Sequence, residues 1–198
     1  FPVDCSYDRS SGDLAVSNII DTSGGPGSFS IFKNGVLQRT YVPPNMSRVY
    51  AVAYEGKTGV LWLDGADSSG IFALDTFFDG TFKVIGIHGA TIGFPGTLQW
   101  SAQTKTIVLG DQDTFSAPTF YWIDDNGNVV GQTVLECGQT SDFCDIAQAA
   151  IKGSGIVGGD AVALTAARFP FSAGGAPVLE YPAPFVQPIG SAVSANKN

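Results

Sequence analysis

Three stretches of this chain are versions of one pattern: "VDCSYDRSSGDLAVSN", "YAVAYEGKTGVLWLDG" and "GTLQWSAQTKTIVLGDQD". Aligned on their aromatic residues, Tyr7, Tyr54 and Trp100 lie 47 and 46 positions apart. Seven residues after each comes an apolar residue: Leu14, Leu61 and Ile107. Four further on, Asn18, Gly65 and Asp111 close the run. A fourth copy, "IAQAAIKGSGIVGGD", places Ile156 and Asp160 at 49 positions beyond Ile107 and Asp111, with Ala149 at the aromatic place. Self-similarity at a fixed period constrains a fold more than any single motif, because each copy must solve the same burial problem.

The second half of each unit repeats as well. "GSFSIFKNGVLQRTYVPP", "SGIFALDTFFDGTFKVIGI", "PTFYWIDDNGNVVGQTVLEC" and "AARFPFSAGGAPVLEYPAP" each read as strand, hairpin turn, strand. "KNG", "FDG", "DNG" and "AGG" supply residues that accept positive φ in such turns. The apolar runs are short and rich in β-branched and aromatic residues, which favours strands over helices. "DFCDIAQAAIKG" has helix-compatible spacing, but its place in the repeat assigns it to the first strand of the fourth unit.

Four-stranded units of about 47 residues predict an all-β chain folded as a β-propeller. One twisted sheet cannot cover both of its faces, and stacking sheets radially does so. Blades are expected at about 1–46, 47–92, 93–142 and 143–188, followed by a flexible or exchanged tail over 189–198. A β-sandwich with accidental self-similarity is the competing architecture.

The elements "YD", "SGDLAVSN", "SFSIFKNG" and "GFPGTLQW" resemble secreted bacterial β-propellers of the NHL/SMP-30-like kind. The likeness runs from Phe1 to about Pro188. It implies blade architecture and says little about activity. Such proteins usually carry more blades than the four visible here, so the chain reads as a compact four-bladed ring or as part of a larger one.

Composition narrows the function. The net charge is -8, so no basic stripe is available for phosphates and nucleic acid is not an expected partner. Anionic membranes are disfavoured for the same reason, and no apolar run reaches the ~18–20 residues of a membrane helix. The opening "FPVDC" reads as that of a mature product or of a piece of something longer. Cys137 and Cys144 are close enough in sequence for a small disulfide loop. Cys5 is then odd, and its apolar strand suggests a buried free thiol. A possible disulfide with few Lys and many Ser, Thr and Gly points to an extracellular or periplasmic protein.

The predicted loops between second and third strands carry Asp21, Asp64, Asp67, Asp111, Asp113 and Asp160, and the blade connections add Asn45, His88 and Asp142. With Asn18, Asp64, Asp67, Asp111, Asp113, Asp160 and His88 on one rim, a hard cation such as Ca²⁺ would find oxygen ligands. Asp and Asn also end strands simply because they stabilise turns. "DDNGN" fits a hairpin tip better than a calcium loop, whose bidentate Glu is missing. His88 is the sole histidine, which leaves no multi-His zinc centre, and no "GxSxG" elbow accompanies it. Trp62, Trp100 and Trp122 occupy strand positions and are expected in the core, whereas Phe94 in "TIGFPG" is expected to be exposed.

These readings converge on a non-catalytic extracellular propeller, a binding, scaffold or assembly module that self-associates or engages a protein, a carbohydrate or a small molecule. No cofactor is required, with Ca²⁺ as the one candidate. The alternatives are a metal-dependent SMP-30-like lactonase or hydrolase, and a fragment of a larger propeller enzyme.

Overall fold

The computed structural model describes residues 2–21, 23–112, 117–137, 144–146 and 148–181. Sixteen strands and no helix occur among them. The first sheet contains β1 (Pro2–Tyr7), β2 (Asp13–Asn18), β3 (Ser28–Lys33) and β4 (Val36–Tyr41). The second holds β5 (Arg48–Tyr54), β6 (Leu61–Ala66), β7 (Phe72–Phe78) and β8 (Thr81–Val84). The third is β9 (Pro95–Ser101), β10 (Thr106–Asp111), β11 (Thr119–Ile123) and β12 (Val129–Val134). The fourth is β13 (Ala149–Lys152), β14 (Gly155–Asp160), β15 (Thr165–Pro170) and β16 (Leu179–Tyr181). In every sheet the strands pair in sequence order, as a meander. The four antiparallel sheets form a four-bladed β-propeller.

Turn chemistry explains the meanders. Asn34 and Gly35, and likewise Asp79 and Gly80, all have positive φ. Two consecutive positive φ values make the tight hairpin turn whose twist matches antiparallel strands. Burial then grades across each sheet. The second strands β6 and β10 are buried at every residue, whereas β4 and β8 are mostly exposed. A second strand has a hydrogen-bonded neighbour on both sides and packing on both faces, so "LWLDGA" and "TIVLGD" are apolar or small almost throughout.

The chain divides into two compact units. The first comprises Phe1–Thr91 with Leu98–Ile107 and Ile123–Val129. Its core contains Phe29, Val49, Val52, Leu61, Leu63 and Phe77. Phe29 stacks on Tyr41 with ring centroids 5.2 Å apart and meets Phe77 edge-on at 5.0 Å. Such ring pairs add about 0.5–1.5 kcal/mol each beyond the area they bury. The second unit comprises Ile92–Thr97, Val108–Trp122 and Val130–Asn198. Its core is built on Val108, Phe120, Leu135, Ile156 and Phe169, with Trp122 against Phe171 at 5.9 Å. Cys137 and Cys144 form a disulfide, Cα atoms 5.3 Å apart.

Three expectations need correction. Cys5 is exposed, not buried. On β1 the side chains of Val3, Cys5 and Tyr7 face outward while Asp4 and Ser6 are partly covered. Among the described residues of "DFCDIAQAAIKG" the strand is confined to Ala149–Lys152. Within it Ile151, not Ala149, takes the aromatic place, because Ile151 pairs with Ile156 as Tyr54 pairs with Leu61. The β13–β14 hairpin is two residues shorter than its counterparts, and equal sequence spacing therefore aligned the wrong residue. The tail 189–198 lies outside the described residues.

Candidate functional site

The predicted rim residues are mostly occupied by the backbone. Asp67 accepts the amides of Ser69 (2.7 Å) and Ile71 (3.0 Å). Asp111, at the end of β10, accepts those of Gly93 (3.2 Å) and Phe94 (3.1 Å). Asp160, at the end of β14, accepts Asp145 (3.1 Å), Val162 (2.9 Å) and Ala163 (3.1 Å). Asn18 donates to Ser28 Oγ at 3.4 Å. Exposed Asp21 accepts the Ser23 hydroxyl and the amides of Gly25 and Ser23, each at 2.7 Å, and those bonds hold its carboxyl below the usual range. This is the turn chemistry that Asp and Asn offer a strand end.

His88 acts through its backbone. Its amide donates to Gly127 O, and its carbonyl accepts from Val129, both at 2.9 Å, in a parallel bridge to Asn128. This connection docks against the "DDNGN" hairpin tip, where Asp124 Oδ1 accepts the amides of Asn126 and Asn128, each at 2.9 Å. Asp113 and Asp142 lie outside the described residues. Phe94 is exposed, and Trp62 is buried with its Nε1 donating to Glu55 at 3.2 Å. Among the described residues no three His, Cys, Asp or Glu side chains are grouped to hold a metal ion.

Asp64 is different. It lies inside β6 rather than at its end, with no exposed surface. The partner strand β5 is irregular between Val49 and Ala51, and the Ala51 amide donates to Asp64 Oδ1 at 2.8 Å. The neighbouring amide, Val52, donates to Asp4 Oδ2 at 3.0 Å. Two carboxyls from two sheets thus clasp successive amides of one strand. Asp64 Oδ2 has no hydrogen-bond partner among the described residues. Burial raises the Asp64 carboxyl well above its usual range, and the nearby Asp4 raises it further. Burial likewise pushes Asp4 up to about 6, against two backbone hydrogen bonds that pull it down. A buried anion without a counter-charge favours its protonated form.

The clasp belongs to a seam. Tyr54 N donates to Ser6 Oγ at 2.9 Å, and Ser17 Oγ donates to Tyr50 O at 3.2 Å. So Asp4 and Ser6 of β1 satisfy alternate amides of β5, the inner edge of the next sheet. In the second unit, Ala149 N donates to Thr97 Oγ1 at 2.7 Å. Thr97 stands three before Trp100 as Asp4 stands three before Tyr7, and Ala149 stands two before Ile151 as Val52 stands two before Tyr54. Sequence reasoning passed over Asp4. The usable signal was a polar residue three before the aromatic place in two of the repeats.

The outer edges carry the remaining distinctive surface. β4, β8, β12 and β16 each end a sheet. Each also exposes large apolar side chains: Val36 (62%), Val84 (63%), Val130 (55%) and Tyr181 (56%).

No protein-family model matches the chain, and no curated protein does. Among solved structures, a chain in the "Crystal structure of Nidogen/Laminin Complex" is similar, with a TM-score of 0.55 at 10% identity. The match covers 96% of this chain and 83% of that one. At that identity the likeness speaks for the fold, and that fold is a β-propeller.

Proposed function

We propose that this protein is a non-catalytic binding and assembly module that works outside the cell and engages protein, including further copies of itself. The carrying observation is the set of outer strands β4, β8 and β16, each unpaired on its outer side among the described residues and each presenting apolar side chains, whereas β12 is met at its ends by His88 and Gly175. Exposed edges with apolar residues are templates for strand addition and docking. The Cys137–Cys144 disulfide is in keeping with an oxidising compartment. The similar propeller comes from a complex of two proteins, which points the same way. A metal-dependent hydrolase is the second reading, favoured by the partnerless oxygen of Asp64 beside Asp4.

The test is the native mass in solution with and without EDTA. Association predicts a particle heavier than one chain, insensitive to EDTA and returned to monomer by Leu37→Lys combined with Val84→Lys. A monomer at all concentrations, without any protein partner, would overturn the assembly reading. EDTA sensitivity that Asp64→Asn abolishes would favour the second reading.

A further inference from the structure

We infer that the cleft between the first and second sheets is a seat for the ammonium group of a lysine side chain presented by a protein partner. The inference rests on the protein-binding reading above and names the chemistry of one contact. The cleft, of about 280 Å³, lies within the first unit. That is small beside the ~300–1,000 Å³ of sites for drug-sized ligands, and suits one side chain.

Its lining has two chemistries. Asp8, Asp13 and Asp79 supply carboxylates. Leu61, Phe77 and Phe78 supply apolar wall, and Tyr54 adds a further aromatic ring. Asp8 is engaged by Ser10 at 2.7 Å and Asp13 by Lys33 at 3.5 Å. Asp79 accepts no hydrogen bond among the described residues, which leaves one carboxylate free for a visitor. Burial raises the Tyr54 phenol, and the charges of Asp13 and Asp8 raise it further, so the ring sits in a negative field.

This arrangement selects a ligand class. An anion is repelled. A bare metal ion finds no three-carboxylate cluster, since these side chains are not gathered on one point. A cation at the end of an alkyl chain satisfies both parts, with its methylenes against the apolar wall and its charge toward the carboxylates and ring faces. The whole chain, at -8, draws a basic partner toward it.

The experiment uses the intact protein and two capped amino-acid amides: N-acetyl-lysine methylamide and its neutral analogue built on norleucine. Saturation-transfer NMR reads contact between each probe and the protein, and a titration gives relative affinity. The expected result is binding of the lysine probe at least about tenfold tighter than the norleucine probe, weakening with salt. Asp79→Asn keeps a residue suited to the tight turn and should remove most of that preference. Phe78→Ala should weaken both probes. Equal binding of the two probes, no lysine signal, or an unchanged preference in Asp79→Asn would each overturn the inference. The protein-binding reading is judged separately by native mass: association without lysine binding sinks only the cleft, and lysine binding by a strict monomer sinks only self-assembly.

Discussion

The two seams that join sheets within the two units use the same position for different chemistry. In the first, Asp4 takes the Val52 amide; in the second, Thr97 takes the Ala149 amide. The residue beside the donor strand differs too: Asp64 stands there in the first seam, and Gly159, three after Ile156 as Asp64 is three after Leu61, at the matching place in the second. The architecture therefore asks for an acceptor three residues before the aromatic place, and a hydroxyl suffices. Charge is an addition made at the first seam alone, where burial raises both carboxyls.

The largest effect should come from removing what the first unit has around its seam. Phe29→Ala empties the centre of the aromatic cluster and should cost about 3–5 kcal/mol. Hydrogen exchange should then quicken at Val52 and leave Ala149 protected; equal loss at both amides would show that the two regions unfold as one.

Acidity should separate the seams next. The folded-state value for Asp4, about 6, lies above its ordinary 3.8, so between those values the native state holds a proton that the unfolded chain has released. That stabilisation is complete below about pH 4 and is lost as pH rises through 6; Asp64, raised further, extends the loss upward. The groups facing one another here are Asp4 and Asp64, and the outward-facing thiol of Cys5 is raised by burial and by the charge of Asp4. Asp64→Asn should stabilise the protein at pH 7 by about 1–2 kcal/mol, since an amide keeps the acceptor for Ala51 without the charge. Asp4→Thr, which makes the first seam a copy of the second, should flatten the pH profile between 4 and 7. A melting temperature with the same pH dependence in both variants and the parent would remove the acid pair from the account.

The smallest effect belongs to the neutral seam. Thr97→Val leaves the Ala149 amide without its acceptor and should cost about 1 kcal/mol at every pH, read by denaturant titration. A pH-dependent cost would mean that the second seam also contains a titrating group.

Most of the fold was legible because turn residues and strand ends obey local rules. Asn34-Gly35 and Asp79-Gly80 announce their hairpins, and the spacing of Tyr7, Tyr54 and Trp100 sets the period. The errors have physical causes. Cys5 was placed inside because β1 looked apolar, yet the covered side of a first strand is the one that serves the next sheet's amides, and here that side is polar. Asp64 was placed in the loop between second and third strands; β6 runs on through Ala66, with the irregularity on the opposite strand. The candidate site was less legible still, since the cleft draws on two sheets and the acid pair works across long separations, such as Asp4 with Val52 at 48 positions. Only the offset from the aromatic place hints at such a partnership.

The short β13–β14 hairpin has a practical meaning. Ile156 follows Ile151 by five residues where Leu61 follows Tyr54 by seven, yet Ala149 still meets Thr97 at the common offset. Strand positions, not loop lengths, keep the units in phase. Lys152-Gly153-Ser154 is therefore a natural port for grafting: an epitope or a tag spliced there should lengthen a tip that already varies and leave the order of the blades intact.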